Sequence, residues 1–316
     1  MGGDRAPKEI VRGARQAMEA GIPVVLVGRR ADLPKVDGIE VIDASEVIEM
    51  HDDPAQGVRR KKDSSLVRAA EAVRDGRAAA MVSAGNTGAT MASALLRMGR
   101  IKGVSRPAIA TPIPVPGETP TVLLDAGANA ECQPAWLVQF AQMGAVFARE
   151  RYGIAEPRVG LLSIGEEASK GNPLVKETHA LLAEPDALAR AAARFVGNVE
   201  GRDIMTDDVD VVVTDGFTGN VALKTLEGGM RALVRSVLGA LGATPVADEA
   251  VAALMPLYAT LDPDSTGGAM LLGVDGVCII SHGSSSATAV VNALRVASEM
   301  VEAGVVERLR SVVSAA

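Results

Sequence analysis

The stretch VVVTDGFTGNVALKTLEGG, residues Val211–Gly229, has the pattern of a strand that ends in a polar turn and continues into a helix. Its first residues are a β-branched run of the kind that is buried on both faces of a parallel sheet, and the residues after Asn220 place apolar side chains at helical spacing. Glycines let such a turn approach a ligand closely, and the N–H groups that open a helix favour an anion. The turn is therefore a candidate site for a small anion, although a helix cap is the simpler explanation of one such turn alone.

The same alternation of strand and helix patterns runs along the whole chain. Strand-like runs are Pro23–Val27, Glu40–Ile42, Ala79–Val82, Thr121–Leu124, Val159–Ile164, Phe195–Val196, Val209–Val213 and Val277–Ile280. The clearest helical patterns are Arg5–Ala20, Ser65–Arg74, Thr87–Met98, Ala135–Glu150, Asn220–Leu241 and Ala287–Val301. This order predicts an α/β fold with a mostly parallel sheet flanked by helices. We expect a single domain over residues 1–316 and leave open a division into two subdomains around a central cleft.

Five of the predicted strands end in turns rich in glycine, serine, threonine and asparagine. They are SAGNTGA from Ser83, LDAGAN from Leu124, SIGEEASKGN from Ser163, TDGFTGN from Thr214 and SHGSSSA from Ser281. Because the carboxyl ends of parallel strands share one edge of a sheet, we expect all five turns to line one cleft. Such a cleft predicts binding of phosphate or another anion.

Composition excludes several classes of protein. The net charge of −7 leaves no basic excess for nucleic acid, and Cys132 and Cys278 have neither disulfide-framework nor redox spacing, as expected for a reducing cytoplasm. No apolar stretch is long enough to predict a membrane span. The phosphate motifs G-x-G-x-x-G and Walker A and the G-x-S-x-G elbow are also missing from the sequence.

The histidines, carboxylates and asparagines of the chain could form metal or oxyanion sites, and each also has a simpler structural explanation. His51, His179 and His282 are too widely separated to predict a zinc site, and only His282 lies in one of the five turns. Asp125, Asp215 and Glu166 could ligate a metal, but carboxylates at strand ends more often cap the next helix, so we predict no metal. The asparagines of the turns, Asn86, Asn129, Asn172 and Asn220, are either oxyanion donors or helix caps.

Nine motifs in order over the whole chain resemble the bacterial phosphate acyltransferase (PlsX) family. They are MGGD at 1, RRKKDSS at 59, SAGNTGA at 83, LDAGAN at 124, LVQFAQMG at 137, IGEE with KGN at 164–172, TDGFTGNVALKTLEGG at 214, GGAMLLG at 267 and SHGSS at 281. The resemblance implies transfer of a long-chain fatty acyl group from acyl carrier protein to inorganic phosphate, giving acyl phosphate for phospholipid synthesis. It also implies a mostly parallel α/β fold like that of the isocitrate and isopropylmalate dehydrogenases, here without the family's usual first strand before Met-Gly-Gly-Asp.

The resemblance further implies a cytoplasmic homodimer without a cofactor, with peripheral contact at the inner face of the membrane. There its product would pass to a membrane acyl-phosphate:glycerol-3-phosphate acyltransferase.

Phosphate is already a nucleophile near neutral pH, so the proposed reaction needs positioned donors more than a covalent intermediate. We expect catalytic roles for Lys170, Asn220, Lys224 and His282. The expected substrate-binding residues are Gly2, Gly3, Asp4, Ser83, Gly85, Asn86, Thr87, Gly88, Asp125, Asn129, Glu166, Asp215, Thr218 and Gly219.

Two segments are candidates for larger partners. The basic run Arg59, Arg60, Lys61 and Lys62 would dock an acidic carrier protein, and a solvated helix face is an equally good explanation. Residues 234–261 are apolar and suit either membrane contact or dimer packing. Because no Lys or Arg lies between Arg235 and Arg295, we expect membrane binding by that segment to be weak and insensitive to salt.

Three other functions remain as alternatives. The first is a phosphotransacetylase-like enzyme that uses a short acyl group on coenzyme A. A dehydrogenase of the same fold would need a metal-binding carboxylate set and an arginine cluster, which the turns do not offer. The last is a catalytically silent scaffold for membrane lipid enzymes, which would have no need of five anion-binding turns.

Overall fold

The computed structural model describes residues 1–242 and 247–313. Its strands are β1 (Val25–Gly28), β2 (Glu40–Asp43), β3 (Ala80–Ser83), β4 (Ala108–Ile113), β5 (Thr121–Leu124), β6 (Arg158–Leu162), β7 (Arg194–Val199), β8 (Val211–Val213), β9 (Ala269–Leu272) and β10 (Val277–Ile280). Its helices are α1 (Lys8–Glu19), α2 (Pro54–Arg60), α3 (Ser65–Arg74), α4 (Thr87–Arg97), α5 (Pro134–Tyr152), α6 (Pro173–Leu182), α7 (Gly216–Gly242), α8 (Ala247–Leu261), α9 (Ala287–Glu302) and α10 (Val305–Val313). Within these residues no helix is both long enough and apolar enough to cross a bilayer.

The strands form a two-stranded parallel sheet, β1-β2, and an eight-stranded sheet in the order β3-β10-β9-β4-β5-β8-β6-β7. In the large sheet, β3 pairs in parallel with β10, and β5, β8, β6 and β7 form a parallel block. The predicted α/β architecture with a mostly parallel sheet is therefore confirmed. The first regular element is α1, as predicted from the sequence.

Two strands that the sequence did not reveal, β4 and β9, pair antiparallel with each other and with their outer neighbours β5 and β10. Three successive antiparallel pairings make β3 and β10 run opposite to β5, β8 and β6. The carboxyl ends of these two groups therefore lie at opposite edges of the sheet. The prediction that all five polar turns share one edge is wrong.

Helix α7 crosses one face of this sheet, where it contacts β4 and β5. The predicted turn residues after Asp215 are the first turn of this helix, not a loop before it. A side chain on Gly219 would place its Cβ 2.0 Å from the carbonyl oxygen of Asp125, so only glycine allows the helix to lie this close. The helix thereby connects the end of β8 with the turns that follow β3 and β10.

Both faces of the large sheet are covered by apolar packing. On one face α5 buries its central residues, among them Phe140, Met143 and Phe147, against β5 and β8. On the other face the core combines side chains of α3, α4 and α7 with Ile109, Ile113 and Leu123. Because α7 covers only part of this second face, a cavity remains beneath it.

Candidate active site

A cavity of about 310 Å³ lies between α7, the face of β4 and the turns that follow β3 and β10. Helix α7 lines it with Asn220, Leu223, Lys224, Leu226, Glu227 and Met230. Residues 220 to 230 span about 15 Å along a helix, which sets the length of this wall. The opposite wall is apolar and includes Ile109, Ile113 and Ile280, and Leu261 joins Met230 in closing another part of the cavity.

Three ionisable side chains meet within this cavity. The buried carboxylate of Glu227 accepts a hydrogen bond from Lys224 Nζ at 2.9 Å, and its other oxygen lies 3.5 Å from Nε2 of His282. Helical spacing of three residues brings Lys224 and Glu227 together, whereas His282 reaches them from the turn after β10. One carboxylate, that of Glu227, therefore contacts both the ammonium of Lys224 and the imidazole of His282.

Burial lowers the pKa of His282 below its ordinary value, and the nearby cations Lys224 and Arg231 act in the same direction. Glu227 opposes them by favouring the charged imidazolium. The imidazole is therefore neutral at physiological pH and can accept a proton.

The turn of residues 2–4 packs against the turns after β3 and β10. The amide of Asp4 donates to the carbonyl of Gly283 at 2.7 Å, and the amide of Ser281 donates to the carbonyl of Ser83 at 2.8 Å. A Cβ on Gly2 would lie 2.8 Å from Cα of Gly85, so the backbones touch. Of these turns, Gly85, Thr87, Ser281, His282 and Gly283 line the cavity.

Several predicted substrate-binding residues stabilise the turns: their polar groups form hydrogen bonds within the protein instead of pointing freely into the cavity. Asn86 caps α4 through Ala89 N at 3.0 Å, and its amide nitrogen donates to the carbonyls of Glu49, Met50 and Asp52. Ser83 Oγ accepts from Gly85 N and from the hydroxyl of Thr90. Gly88 packs on Pro54, where a Cβ would come within 2.7 Å of its ring. These side chains shape the site from behind.

The loop after β5 is built in the same way around Asp125, which is fully buried. Its carboxylate accepts from the amides of Ile109, Gly127, Ala128 and Asn129 and from the side chain of Asn129. Burial raises the pKa of Asp125 and these hydrogen bonds oppose the shift.

Asp215 caps α7, because its carboxylate accepts from the amide and the hydroxyl of Thr218, both at 2.8 Å. Helix capping, the simpler role weighed from the sequence for Asp215, is the one that the structure has.

Two predicted residues lie away from the cavity. Glu166 is exposed and pairs with Arg202 at 3.0 Å. Lys170 follows in the same loop, where its side chain lies beside Gly165, and neither residue lines the cavity. The reason is the strand order, because β5 and β8 separate β6 from β4, whose face forms a wall of the cavity. Lys170 was expected to be catalytic and Glu166 to bind substrate, and in the structure both lie outside this cavity.

Sequence reasoning missed Glu227 and the apolar wall from β4. Two features of the sequence could have indicated Glu227: it lies three residues after Lys224 on a predicted helix, and it is an acidic residue on the apolar side of that helix.

The described residues, with 243–246 and 314–316 left aside, contain no group of three His, Cys, Asp or Glu side chains close enough to hold a metal. Burial raises the pKa of Cys132 and that of Cys278 to about 12, so neither thiol is ionised near neutral pH.

Comparison with known proteins assigns the chain to a family. Residues 1–308 match the family described as "Fatty acid synthesis protein". The chain is 48% identical to a phosphate acyltransferase of Elusimicrobium minutum over 98% of this chain and 93% of that protein. It is 49% identical to a phosphate acyltransferase of Pelotomaculum thermopropionicum, over 98% and 92% of the two chains.

Solved structures of similar fold include the EutD phosphotransacetylase from Staphylococcus aureus, with a TM-score of 0.62, 16% identity and coverage of 93% of this chain and 91% of that one. A branched-chain phosphotransacylase from Enterococcus faecalis V583 has the same TM-score and identity, with coverage of 95% and 96%. At this identity they establish the fold alone. Near-full-length similarity to the curated relatives establishes more: the chain belongs to the fatty acid synthesis protein family of phosphate acyltransferases, and it is an acyltransferase.

Proposed function

We propose that the protein transfers a long-chain fatty acyl group from acyl carrier protein to inorganic phosphate and releases acyl phosphate for phospholipid synthesis. The observation that carries the proposal is the cavity beneath α7, in which Lys224, Glu227 and His282 adjoin an apolar wall. An acyl thioester needs both features, because its carbonyl reacts with an anion while its chain requires apolar surroundings.

The chemistry is a substitution at the thioester carbonyl. An oxygen of hydrogen phosphate forms a bond to the carbonyl carbon, the carbon–sulfur bond breaks, and the proton of the phosphate hydroxyl ends on the departing thiolate. His282 is placed to relay that proton, since its neutral imidazole accepts from phosphate and then donates to sulfur. No covalent enzyme intermediate is required.

Donors on α7 and in the turns stabilise the negative charge that develops in the transition state. Lys224 supplies a cation for the phosphate, and Glu227 holds that cation and His282 in one place. Asn220 lies one helical turn before Lys224 on the same wall, where its amide can donate to the oxyanion. Backbone groups of Gly85 and Thr87 at the start of α4 would add to the phosphate site.

The apolar part of the cavity favours a fatty chain over an acetyl group. Leu226, Met230 and Leu261 also line the cavity, and Met230 follows Glu227 on α7, on the side away from Asn220. A short acyl group of the kind used by a phosphotransacetylase would leave these side chains without a partner. Preference for a long chain follows from the apolar area that it would bury.

The remaining partners belong to the same proposal. Exposed apolar side chains cluster on the second half of α7 and on α8, which has no buried residue among those described; they include Leu233, Leu238, Met255, Leu257 and Tyr258. They are suited to peripheral contact with a bilayer, where a membrane acyl-phosphate:glycerol-3-phosphate acyltransferase would take the product, or to packing in a homodimer. Of the basic run that was expected to dock the carrier, Arg59, Arg60 and Lys62 are exposed, whereas Lys61 is paired with Asp52.

Trapping with hydroxylamine tests the proposal, because it converts acyl phosphate into a stable hydroxamate. The purified protein is supplied with inorganic phosphate and either a long-chain acyl carrier protein or acetyl coenzyme A. We expect hydroxamate from the carrier-borne donor that depends on phosphate. Product from acetyl coenzyme A alone would identify a phosphotransacetylase, and no product from either donor would favour a scaffold.

A further inference from the structure

The protein carries a basic surface that the active site does not use. Although the net charge is −7, no Asp or Glu occurs between Asp75 and Glu118. The loop from α4 to β4 lies in this segment and exposes Arg100, Lys102 and Arg106. A concentration of cations on an acidic protein marks a place where an acidic partner is attracted selectively.

This loop is held in a fixed shape on α5. Gln139 of α5 accepts from the amide of Ser105 at 2.8 Å and donates to the carbonyl of Gly103 at 2.9 Å. The guanidinium of Arg106 lies 4.9 Å from the ring centroid of Trp136, also on α5. The cations are therefore presented by an ordered surface, which lowers the entropy that binding must overcome.

Two depressions flank Trp136 on this surface. One is lined by Leu95, Arg100, Ser105, Arg106 and Pro107, and the other by Arg106, Asn129, Glu131, Cys132 and Gln133. The second depression contains Gln133, the residue before α5, whose side chain makes no capping hydrogen bond. The positive end of this 19-residue helix adds to the field of the arginines.

The two arginines of this surface, Arg100 and Arg106, are not neutralised by acidic side chains of the described residues. In residues 1–242 and 247–313 neither Arg100 nor Arg106 forms an ion pair with a carboxylate: Arg100 donates to the carbonyl of Ser105, and Arg106 stacks on Trp136. The amide of Asp275 donates to the carbonyl of Gly99, and the carboxylate of Asp275 pairs with Arg310. Glu131 is the acidic residue on the rim.

The basic surface is connected with the catalytic cavity through one loop. Ala126 of the loop after β5 lines the cavity, and Asn129, three residues later, lines the depression beside Trp136. Asn129 donates to the carbonyl of Pro107, which fixes this loop to the basic one. A protein bound at Trp136 would therefore lie close to one end of the cavity, the end at which Asn220 contacts Gly127.

We propose that the surface formed by Arg100, Arg106 and Trp136 docks an acidic carrier protein that presents the acyl thioester. This inference rests on the proposed function, which requires such a carrier. It assigns docking to a surface different from the run Arg59–Lys62, where Asp52 already neutralises Lys61 and the acidic residues Asp53 and Asp63 flank the run.

Steady-state kinetics with the full chain test the assignment. The double variant Arg100→Ala/Arg106→Ala should raise KM for long-chain acyl carrier protein about tenfold with kcat within about twofold, because rim charges act mainly on association. The salt dependence of kcat/KM should weaken in the same variant. The matched control Lys35→Ala/Lys176→Ala removes two exposed cations elsewhere and should keep the wild-type KM.

Fluorescence gives a second readout that does not depend on catalysis, because Trp136 is the chain's single tryptophan. Titration of the wild type with acyl carrier protein should change its emission saturably, and the double arginine variant should bind about tenfold more weakly. An unchanged KM in the arginine variant, or a raised KM in Arg59→Ala/Arg60→Ala instead, would overturn the assignment. If the wild type forms no acyl phosphate, the proposed function fails; a saturable fluorescence change would still support docking, and its absence would overturn it.

Discussion

Nε2 of His282 lies 3.5 Å from Oε1 of Glu227, and the second oxygen of the same carboxylate holds the ammonium of Lys224 at 2.9 Å. His282 comes from the turn after β10 and the other two residues from α7, so the contact joins the helix to the turn across the cavity. A buried carboxylate that is shared by a cation and an imidazole fixes both positions and tunes the proton affinity of the imidazole. The proposed reaction depends on this arrangement.

Replacing Glu227 with glutamine should change the pH dependence of the reaction. Glu227 raises the pKa of His282, so the substitution lowers that pKa further. The imidazole accepts a proton only when neutral, and the acid limb of kcat/KM should therefore move to lower pH, with turnover about 10- to 100-fold lower from lost positioning. An acid limb that stays in place would contradict the role of Glu227, and the exposed Glu177→Gln is the control.

Removing the side chains of Lys224 or Asn220 should reduce acyl transfer. We expect Lys224→Ala to lower kcat/KM for phosphate by about 100- to 200-fold, and Asn220→Ala to lower kcat by a similar factor, because a fixed donor to developing charge contributes about 3 kcal/mol. Initial rates at varied phosphate concentration separate the two effects. Lys176→Ala, an exposed lysine on α6, serves as the comparison. Full activity in both cavity variants would exclude them from the mechanism.

Substitution of two glycines of α7 by alanine should change the stability of the protein in opposite directions. A Cβ at Gly219 meets the carbonyl oxygen of Asp125, whereas one at Gly228 meets nothing within 4 Å. Gly219→Ala must push the helix off the loop and should destabilise the protein by about 1–3 kcal/mol. Gly228→Ala should leave stability equal or about 0.5–1 kcal/mol higher, since alanine favours the helix. Thermal melts of both variants check this pair, and equal melting temperatures would contradict the close approach at Gly219.

The apolar surface of α7 and α8 should bind vesicles weakly and with little dependence on salt. No Lys or Arg lies between Arg235 and Arg295, so anionic lipid gains little electrostatic attraction there. Co-sedimentation with anionic vesicles should change little between about 50 and 500 mM salt. Replacing Leu257 and Tyr258 by serine should abolish it, whereas Leu181→Ser on α6 should not.

Binding to vesicles that falls steeply with salt would contradict this account of the surface. If the Leu257 and Tyr258 variant instead dissociates a dimer in sedimentation experiments and leaves vesicle binding intact, the segment is a dimer interface.

The sequence predicted most of the sheet because buried strands such as Val211–Val213 and Thr121–Leu124 are continuous apolar runs. It did not predict β4 and β9. β4 contains Pro112, which argues against a central strand, and β9 follows directly on two glycines. Because of these two strands, β3 and β10 run opposite to β5, β8 and β6, so the expectation of one common edge for the polar turns failed.

Candidate site residues were predicted best where the turn itself lines the cavity, as for Gly85, Thr87 and His282. Prediction from the turns could not separate residues that face the cavity from residues that build the turn, such as Asn86 and Asp125, because the same residue types serve both purposes. Lys170 and Glu166 lie outside the cavity, because β5 and β8 stand between β6 and β4 in the sheet, an order that the sequence did not reveal. Glu227 was missed because it lies well inside a helix and not in a turn.

The proposed site of transfer can be tested by incorporation of radiolabelled inorganic phosphate into acyl phosphate, with one long-chain acyl carrier protein as donor for the wild type and for Lys224→Ala. We expect labelled acyl phosphate from the wild type and at least about tenfold less from the variant at equal phosphate, because Lys224 lies in the cavity where we propose that transfer occurs. No labelled product from the wild type, or equal labelling by both proteins, would contradict it.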